Sequence, residues 1–151
     1  MNIITLPGPE LIKLTGITST TPAKWHAPRN NHPDALEYWP PQWGTVAGLK
    51  ASTYILAIER EQYSVTPVLG FISLQLDPVH QNQLWFKTIS IRPSYKRKGI
   101  AKALVSEFGH WISLQDVHVG ITEYTEDGRQ YLQPVLEKTL SSLGKKWFFE
   151  R

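Results

Sequence analysis

The sequence predicts a single-domain α/β fold, a mixed sheet flanked by helices. Three observations carry that reading. The chain has 151 residues, of which 41% are hydrophobic and 19% charged. That suits one globular domain with its own core. Three β-rich stretches follow one another between residues 52 and 92. Beyond residue 99 the hydrophobic period turns helical, and helix and strand then alternate. A helix between two strands implies a parallel crossover.

The elements follow in order. Residues 1–48 read as irregular. "TPAKWHAPRNNHPDALEYWPPQWG" mixes Pro, Asn, His and Trp without a sustained period. Within it "PDALEYW" suits a short helix, with Pro33 early and Pro40-Pro41 ending it. Trp25, Trp39 and Trp43 argue against a disordered tail, so this segment is expected to wrap over the core or line a pocket. "STYILAIER" (52–60) is rich in β-formers. "VTPVLGFISLQLD" (65–77) sets Phe71, Ser73 and Gln75 against Ile72, Leu74 and Leu76, the alternation of a half-buried strand. The two are expected to form an antiparallel hairpin. "LWFKTISIR" (84–92) is a third strand, stopped by Pro93. From Gly99, apolar Ile100, Ala103, Leu104, Phe108 and Trp111 recur at helical spacing. "VHVGIT" (117–122) reads as a buried strand. "PVLEKTLSSLG" (134–144) reads as a helix with Pro134 in its first turn and Gly144 at its C-terminal cap. "KWFFE" is a last strand. The order from residue 52 is β-β-β-α-β-α-β.

Composition excludes several function classes. Cysteine is absent, so disulfides, thiolate nucleophiles and cysteine metal sites are impossible. The chain contains no apolar run of the ~18 residues that a membrane helix needs. The N-terminus lacks the pattern of a signal peptide. A cytoplasmic location without membrane partners is the expectation. The formal charge is +3 and the pI about 9.2. That balance fits a phosphorylated ligand and is too weak to argue for nucleic acid.

The chemistry concentrates at residues 91–104, "IRPSYKRKGIAKAL". A helix N-terminus leaves backbone N–H groups unpaired and carries partial positive charge. A loop leading into it wraps its amides around a phosphate. Gly99 and Ala101 let a ligand approach the main chain closely, and Lys96, Arg97 and Lys98 add charge. The residues therefore read as a phosphate cradle between a strand and a helix. The plain alternative is a solvated, charged turn. Neither a P-loop nor a dinucleotide fingerprint is present.

"RPSYKRKGIAKAL" resembles the acyl-CoA-binding motif of the GNAT superfamily of N-acetyltransferases. That motif runs Gln or Arg, two residues of any kind, Gly, any residue, then Gly or Ala. Pro-x-Tyr commonly precedes it, and Lys-Ala-Leu follows. Lys96 stands in the Gln/Arg slot, and Gly99 and Ala101 fill the two small slots. "VLGFISL" resembles the family's third strand and "SSLGKKWFF" its closing helix–Gly–strand. The resemblance covers roughly residues 50–151. It implies a GNAT-type, mostly antiparallel sheet with a parallel, splayed strand pair at the cofactor slot. It also implies acetyl-CoA as cosubstrate. Amides from Arg97 through Lys98, Gly99, Ile100 and Ala101 to Lys102 would hold the pyrophosphate. The main chain of Ile89 to Ile91 would pair with the pantetheine arm, and an N–H near Ile91 would polarise the acetyl oxygen.

The pattern breaks at the proton-transfer groups. The family's common Tyr on the closing helix corresponds to Leu140, and its helix-opening Asn to Gln133. The strand "LWFKTISI" lacks the Glu that many members use as base. Tyr131, with Tyr124 nearby, is the candidate acid and Glu123 the candidate base. Aromatic packing and a solvated loop charge are their plain alternatives. His110 and Ser106 are expected at the surface, and His118 as a hydrogen-bonded core histidine. His26 and His32 share no zinc-type spacing with another ligand, so no metal is expected.

The function expected is N-acetylation of an unknown amine, on a small molecule or a protein, by direct attack in one domain spanning 1–151. The alternative is a catalytically silent acyl-CoA-binding module acting through a protein partner. Nucleic acid is not an expected partner. The resemblance implies a homodimer by analogy alone.

Overall fold

The computed structural model describes residues 1–15, 25–26, 33–34, 36, 50–59, 66–121 and 132–149. Strands are β1 (Asn2–Pro7), β2 (Trp25–His26), β3 (Ser52–Ile58), β4 (Thr66–Leu76), β5 (Gln83–Ile91), β6 (His118–Ile121) and β7 (Trp147–Phe149). Helices are α1 (Gly8–Thr15), α2 (Ile100–Ser113) and α3 (Gln133–Ser142), with a single 3-10 turn at Pro93–Tyr95. The sheet order is β1-β3-β4-β5-β6-β7, and β2 pairs with β4. The long ladders β1–β3, β3–β4 and β4–β5 are antiparallel. The crossover pairs β5–β6 and β6–β7 are parallel. The predicted hairpin, the parallel crossover and every element from residue 52 onward are present.

The N-terminus departs from the expectation of irregular chain. "NIITLP" is an edge strand in register with β3, from Asn2 opposite Ile58 to Pro7 opposite Thr53. "GPELIKLT" is a helix, with Pro9 in its first turn, Glu10 near its N-terminus and Lys13 near its C-terminus. Both are short, and their support is non-local: β1 draws its hydrogen bonds from a strand 50 residues on. Pro7 is tolerated because it ends an edge strand. Most of the expected Trp-rich cover, and the short helix over 33–39 apart from Pro33, Asp34 and Leu36, lies outside the described residues.

Apolar residues fill both faces of the sheet. On one face α2 and α3 lay Leu104, Phe108, Ile112, Leu136 and Leu140 over the strands. Phe108 meets Phe86 edge to face at 5.2 Å. On the other face Leu11 of α1 and Leu36 join Tyr54, Leu56, Val68 and Phe71. The two helices on the first face cross closely, because Gly109 has no side chain. A Cβ there would lie 2.7 Å from Thr139 Cγ2. Gly144 (φ 67°) ends α3 as predicted. Its N–H donates to Ser141 O, and the Lys145 N–H reaches back to Leu140 O, the paired bonds of a Schellman cap.

His118 is a correction. It is exposed, not a core histidine. Val119 and Ile121 take the inward positions of β6, so the period of two does not place His118 inward beside them. His110 and Ser106 lie at the surface as expected.

Candidate active site

The site is made by a strand that leaves its neighbour. β5 pairs with β6 from Gln83 to Phe86. Its pairing with β4 skips Lys87: Ser73 faces Thr88 and Leu74 faces Phe86. The extra residue is a β-bulge, which bends the strand and increases its twist. It sits where the β6 pairing ends, so Lys87–Ile91 continue beside β4 with no described strand on their other edge. The bulge also changes the inward parity of the strand. Leu84 and Phe86 face the α2 side before it, and Ile89 and Ile91 face that side after it. Thr88 and Ser90 therefore face away from α2, half-buried. Trp85 shares that opposite face and fills the space above Gly120, where a Cβ would come within 2.6 Å of its ring.

Donor direction follows from one bond. The Arg92 N–H donates to Leu69 O of β4 at 2.9 Å. Neighbouring amides of an extended strand point to opposite edges. The N–H groups of Ile91 and Ile89 thus point away from β4, into the opening beside β6. These are the two residues assigned to the pantetheine arm from sequence.

The chain then turns into α2. The Tyr95 N–H donates to Arg92 O and the Lys96 N–H to Pro93 O. Arg97 (φ 63°) and Gly99 (φ 84°) are left-handed. For Arg97 that conformation costs about 1–2 kcal/mol, a strain of the kind that gathers at binding loops. Gly99 is the N-cap of α2 and has no side chain to cap that end. The Ala103 N–H makes the bond back to Gly99 O at 3.0 Å. The amides of Ile100, Ala101 and Lys102 precede it and have no partner in the helical ladder. A Cβ on Gly99 would meet no described residue within 4 Å, so the start of the helix has open space at Gly99. Lys96, Arg97, Lys98, Ala101 and Lys102 are exposed, whereas the Ile100 side chain is buried in the core. Ile100 thus anchors the helix start and offers a ligand its backbone alone. Cations, unpaired amides and open space together fit a diphosphate.

Groups outside the cation run hold this loop. Tyr95 lies under Lys98, with Nζ 5.3 Å from the ring centroid, and beside Arg92, whose Cζ is 5.1 Å away. The Tyr95 hydroxyl donates to Glu59 Oε1 at 3.3 Å. Asp34, from the N-terminal segment, accepts from the Ser94 hydroxyl and the Ser94 N–H, each at 2.6 Å. It also accepts from Arg92 Nη2 at 2.8 Å and Nε at 3.2 Å. The Ser94 bonds, then Arg92, hold the Asp34 carboxyl at about 2. The Pro-x-Tyr of the motif marks Tyr95, but no local signal marks Asp34.

Leu140 is fully buried against α2, so it leaves no polar group where the family's Tyr stands. Tyr131 and Glu123, assigned as acid and base, lie outside the described residues, as does Tyr124.

The sequence profile of the acetyltransferase (GNAT) family matches residues 18–133. The chain belongs to that family. Solved structures similar to it include a protein described as an acetyltransferase of the GNAT family from Desulfovibrio desulfuricans. That one is 17% identical, with 46% of this chain matched to 41% of the other at a TM-score of 0.39. An aminoglycoside N-acetyltransferase in complex with CoA is 18% identical, with 67% of this chain matched to 63% of the other at a TM-score of 0.38. An aminoglycoside acetyltransferase from an uncultured soil metagenomic sample, in complex with trehalose, is 10% identical. There 91% of this chain matches 86% of the other, at a TM-score of 0.49. The chain spans less than two thirds of the first two proteins. No curated protein matches it. No helix among the described residues is long and apolar enough to cross a membrane.

Proposed function

We infer that the chain is an acetyl-CoA-dependent N-acetyltransferase acting on a primary amine. The observation that carries this reading is the juxtaposition of the outward-pointing Ile89 and Ile91 amides with the uncapped start of α2. An arm hydrogen-bonded along β5 leads to a diphosphate on the amides of Arg97 to Lys102. Acetyl-CoA supplies a thioester whose C–S bond breaks as the amide C–N bond forms. The Ile91 N–H, aimed into the opening, stabilises the developing oxyanion. The amine gives up its proton to Glu123, directly or through water, and Tyr131 protonates the departing sulfur. The amine approaches over the half-buried Thr88 and Ser90, since α2 covers the opposite face.

A second reading has two observations in its favour. Buried Leu140 and the carboxylate-free β5 leave two of the family's proton-transfer positions without a titratable group. On that reading the chain binds acyl-CoA and acts through a protein partner.

Calorimetric titration with acetyl-CoA, on wild type and on Gly99→Glu, tests the shared cofactor site. Micromolar binding by the wild type and its loss in the variant are expected, because Glu places an anion in the cradle. No binding by the wild type would sink both readings. Thiol release with a panel of amino sugars, polyamines and peptides then separates enzyme from silent module.

A further inference from the structure

We propose that Asp34 is a positioning residue that fixes the cofactor loop from across the strand ends, so that cofactor affinity depends on the N-terminal segment. The inference rests on the acetyl-CoA reading for its ligand, but its geometry stands independently. Asp34 is 58 residues before Arg92 and 60 before Ser94. Nearby Leu36 is buried in the cluster formed with α1, on the sheet face that α2 does not cover. Asp34 therefore reaches the loop from the other side of the sheet.

Its contacts fall between the two halves of the site. Ile91, the last residue of β5, points its amide into the opening. Arg92 follows, tied to Leu69 by its main chain and to Asp34 by its side chain. Ser94 gives Asp34 both its hydroxyl and its amide. Tyr95 comes next and carries Lys98 on its ring. Moving Arg92 or Ser94 thus moves the oxyanion donor on one side and the diphosphate amides on the other. Charge-assisted bonds of this geometry are the stronger kind. Both side chains of the pair are mostly shielded, at 18% and 16% exposure. A displacement of about 1 Å in such a site costs up to about a hundredfold in rate.

Asp77 supplies the matched control. Like Asp34 it accepts both backbone and side-chain donors, here the Val79 and His80 amides and Trp85 Nε1. It does so at the other end of β5. Asp34→Ala and Asp77→Ala are each expected to lower the melting temperature. In calorimetry well below both melting points, Asp34→Ala is expected to weaken acetyl-CoA binding about tenfold, and Asp77→Ala less than twofold. Asp34→Asn, which keeps one acceptor oxygen and loses the charge, should fall between wild type and Asp34→Ala. Hydrogen exchange of the ligand-free protein gives a readout that needs no cofactor. Amides over 92–99 should exchange at least tenfold faster in Asp34→Ala and unchanged in Asp77→Ala. Equal affinity of wild type and Asp34→Ala, or unchanged exchange over 92–99, overturns the proposal. A wild type that fails to bind while exchange responds as expected sinks the acetyl-CoA reading instead and leaves Asp34 as the residue that fixes the loop.

Discussion

Gly99 and Gly144 present the same backbone in two settings, which lets strain be separated from binding. Both have positive φ, 84° and 67°, and among the described residues a Cβ on either would meet no atom within 4 Å. Alanine at either place therefore costs the left-handed conformation alone, about 1–2 kcal/mol. For a chain of this size that lowers the melting temperature by about 2–8 °C. Gly144→Ala should leave acetyl-CoA affinity unchanged, because that cap closes α3. Gly99→Ala should weaken it at least tenfold, because its Cβ enters the space left open over the α2 amides. Equal affinities of the two variants would remove Gly99 from the cofactor site. The sequence made this glycine legible through its small partner Ala101, its cations and the apolar period that follows. It did not make Asp34 legible. A carboxylate in a segment rich in Asn and His has no periodic context, and its partners are far along the chain.

At the scale of elements, the readable part of the fold is the part with local period. From β3 to β7 each strand or helix shows its face within its own residues, and the predicted bounds differ from the observed ones by one or two positions. β1 and α1 meet at Pro7-Gly8-Pro9, a run that reads as a loop, and they owe their order to β3 and the Leu11–Leu36 cluster. The bulge at Lys87 leaves a fainter mark. In "LWFKTISI" the apolar phase breaks at Lys87-Thr88, and Ile89 and Ile91 face α2 as Leu84 and Phe86 do only because one residue drops out of register. Bulges answer to the needs of the sheet, here the departure from β6, and not to a residue type. The α2–α3 crossing supports a separate test. Gly109→Ala would place a Cβ 2.7 Å from Thr139 Cγ2, and overpacking of this sort costs about 1–3 kcal/mol. Thr139→Ser removes that methyl and keeps the hydroxyl bond to Val135 O. Chemical denaturation should therefore show Gly109→Ala destabilised and the double variant largely restored. Failure of the serine to rescue would place the strain elsewhere.

Across the whole molecule, two carboxylates fasten opposite ends of β5, roughly 25–30 Å apart at about 3.3 Å per residue. Asp34 is held at about 2 by Ser94 and Arg92. Asp77 is held at about 2 by the His80 N–H, the Trp85 indole and the Val79 N–H. Both lie below the ordinary 3.8. A folded-state value below the unfolded one stabilises the fold at pH above about 4, where both states are ionised. As pH falls from about 4 to about 2 the unfolded chain takes up protons first, and that stabilisation is lost. Urea midpoints of the wild type should hold no contribution from these two groups to any change between pH 8 and 5, and should drop between pH 4 and 2. Asparagine at both positions removes the titrating groups. The double variant should be less stable at pH 7, and its deficit should shrink towards pH 2. Separation makes the two losses additive, since sites this far apart share no partner. A deficit that stays constant from pH 7 to pH 2 would mean that the carboxylates act through shape and not through charge, and the Asp34–Arg92 contact would then lose its electrostatic account.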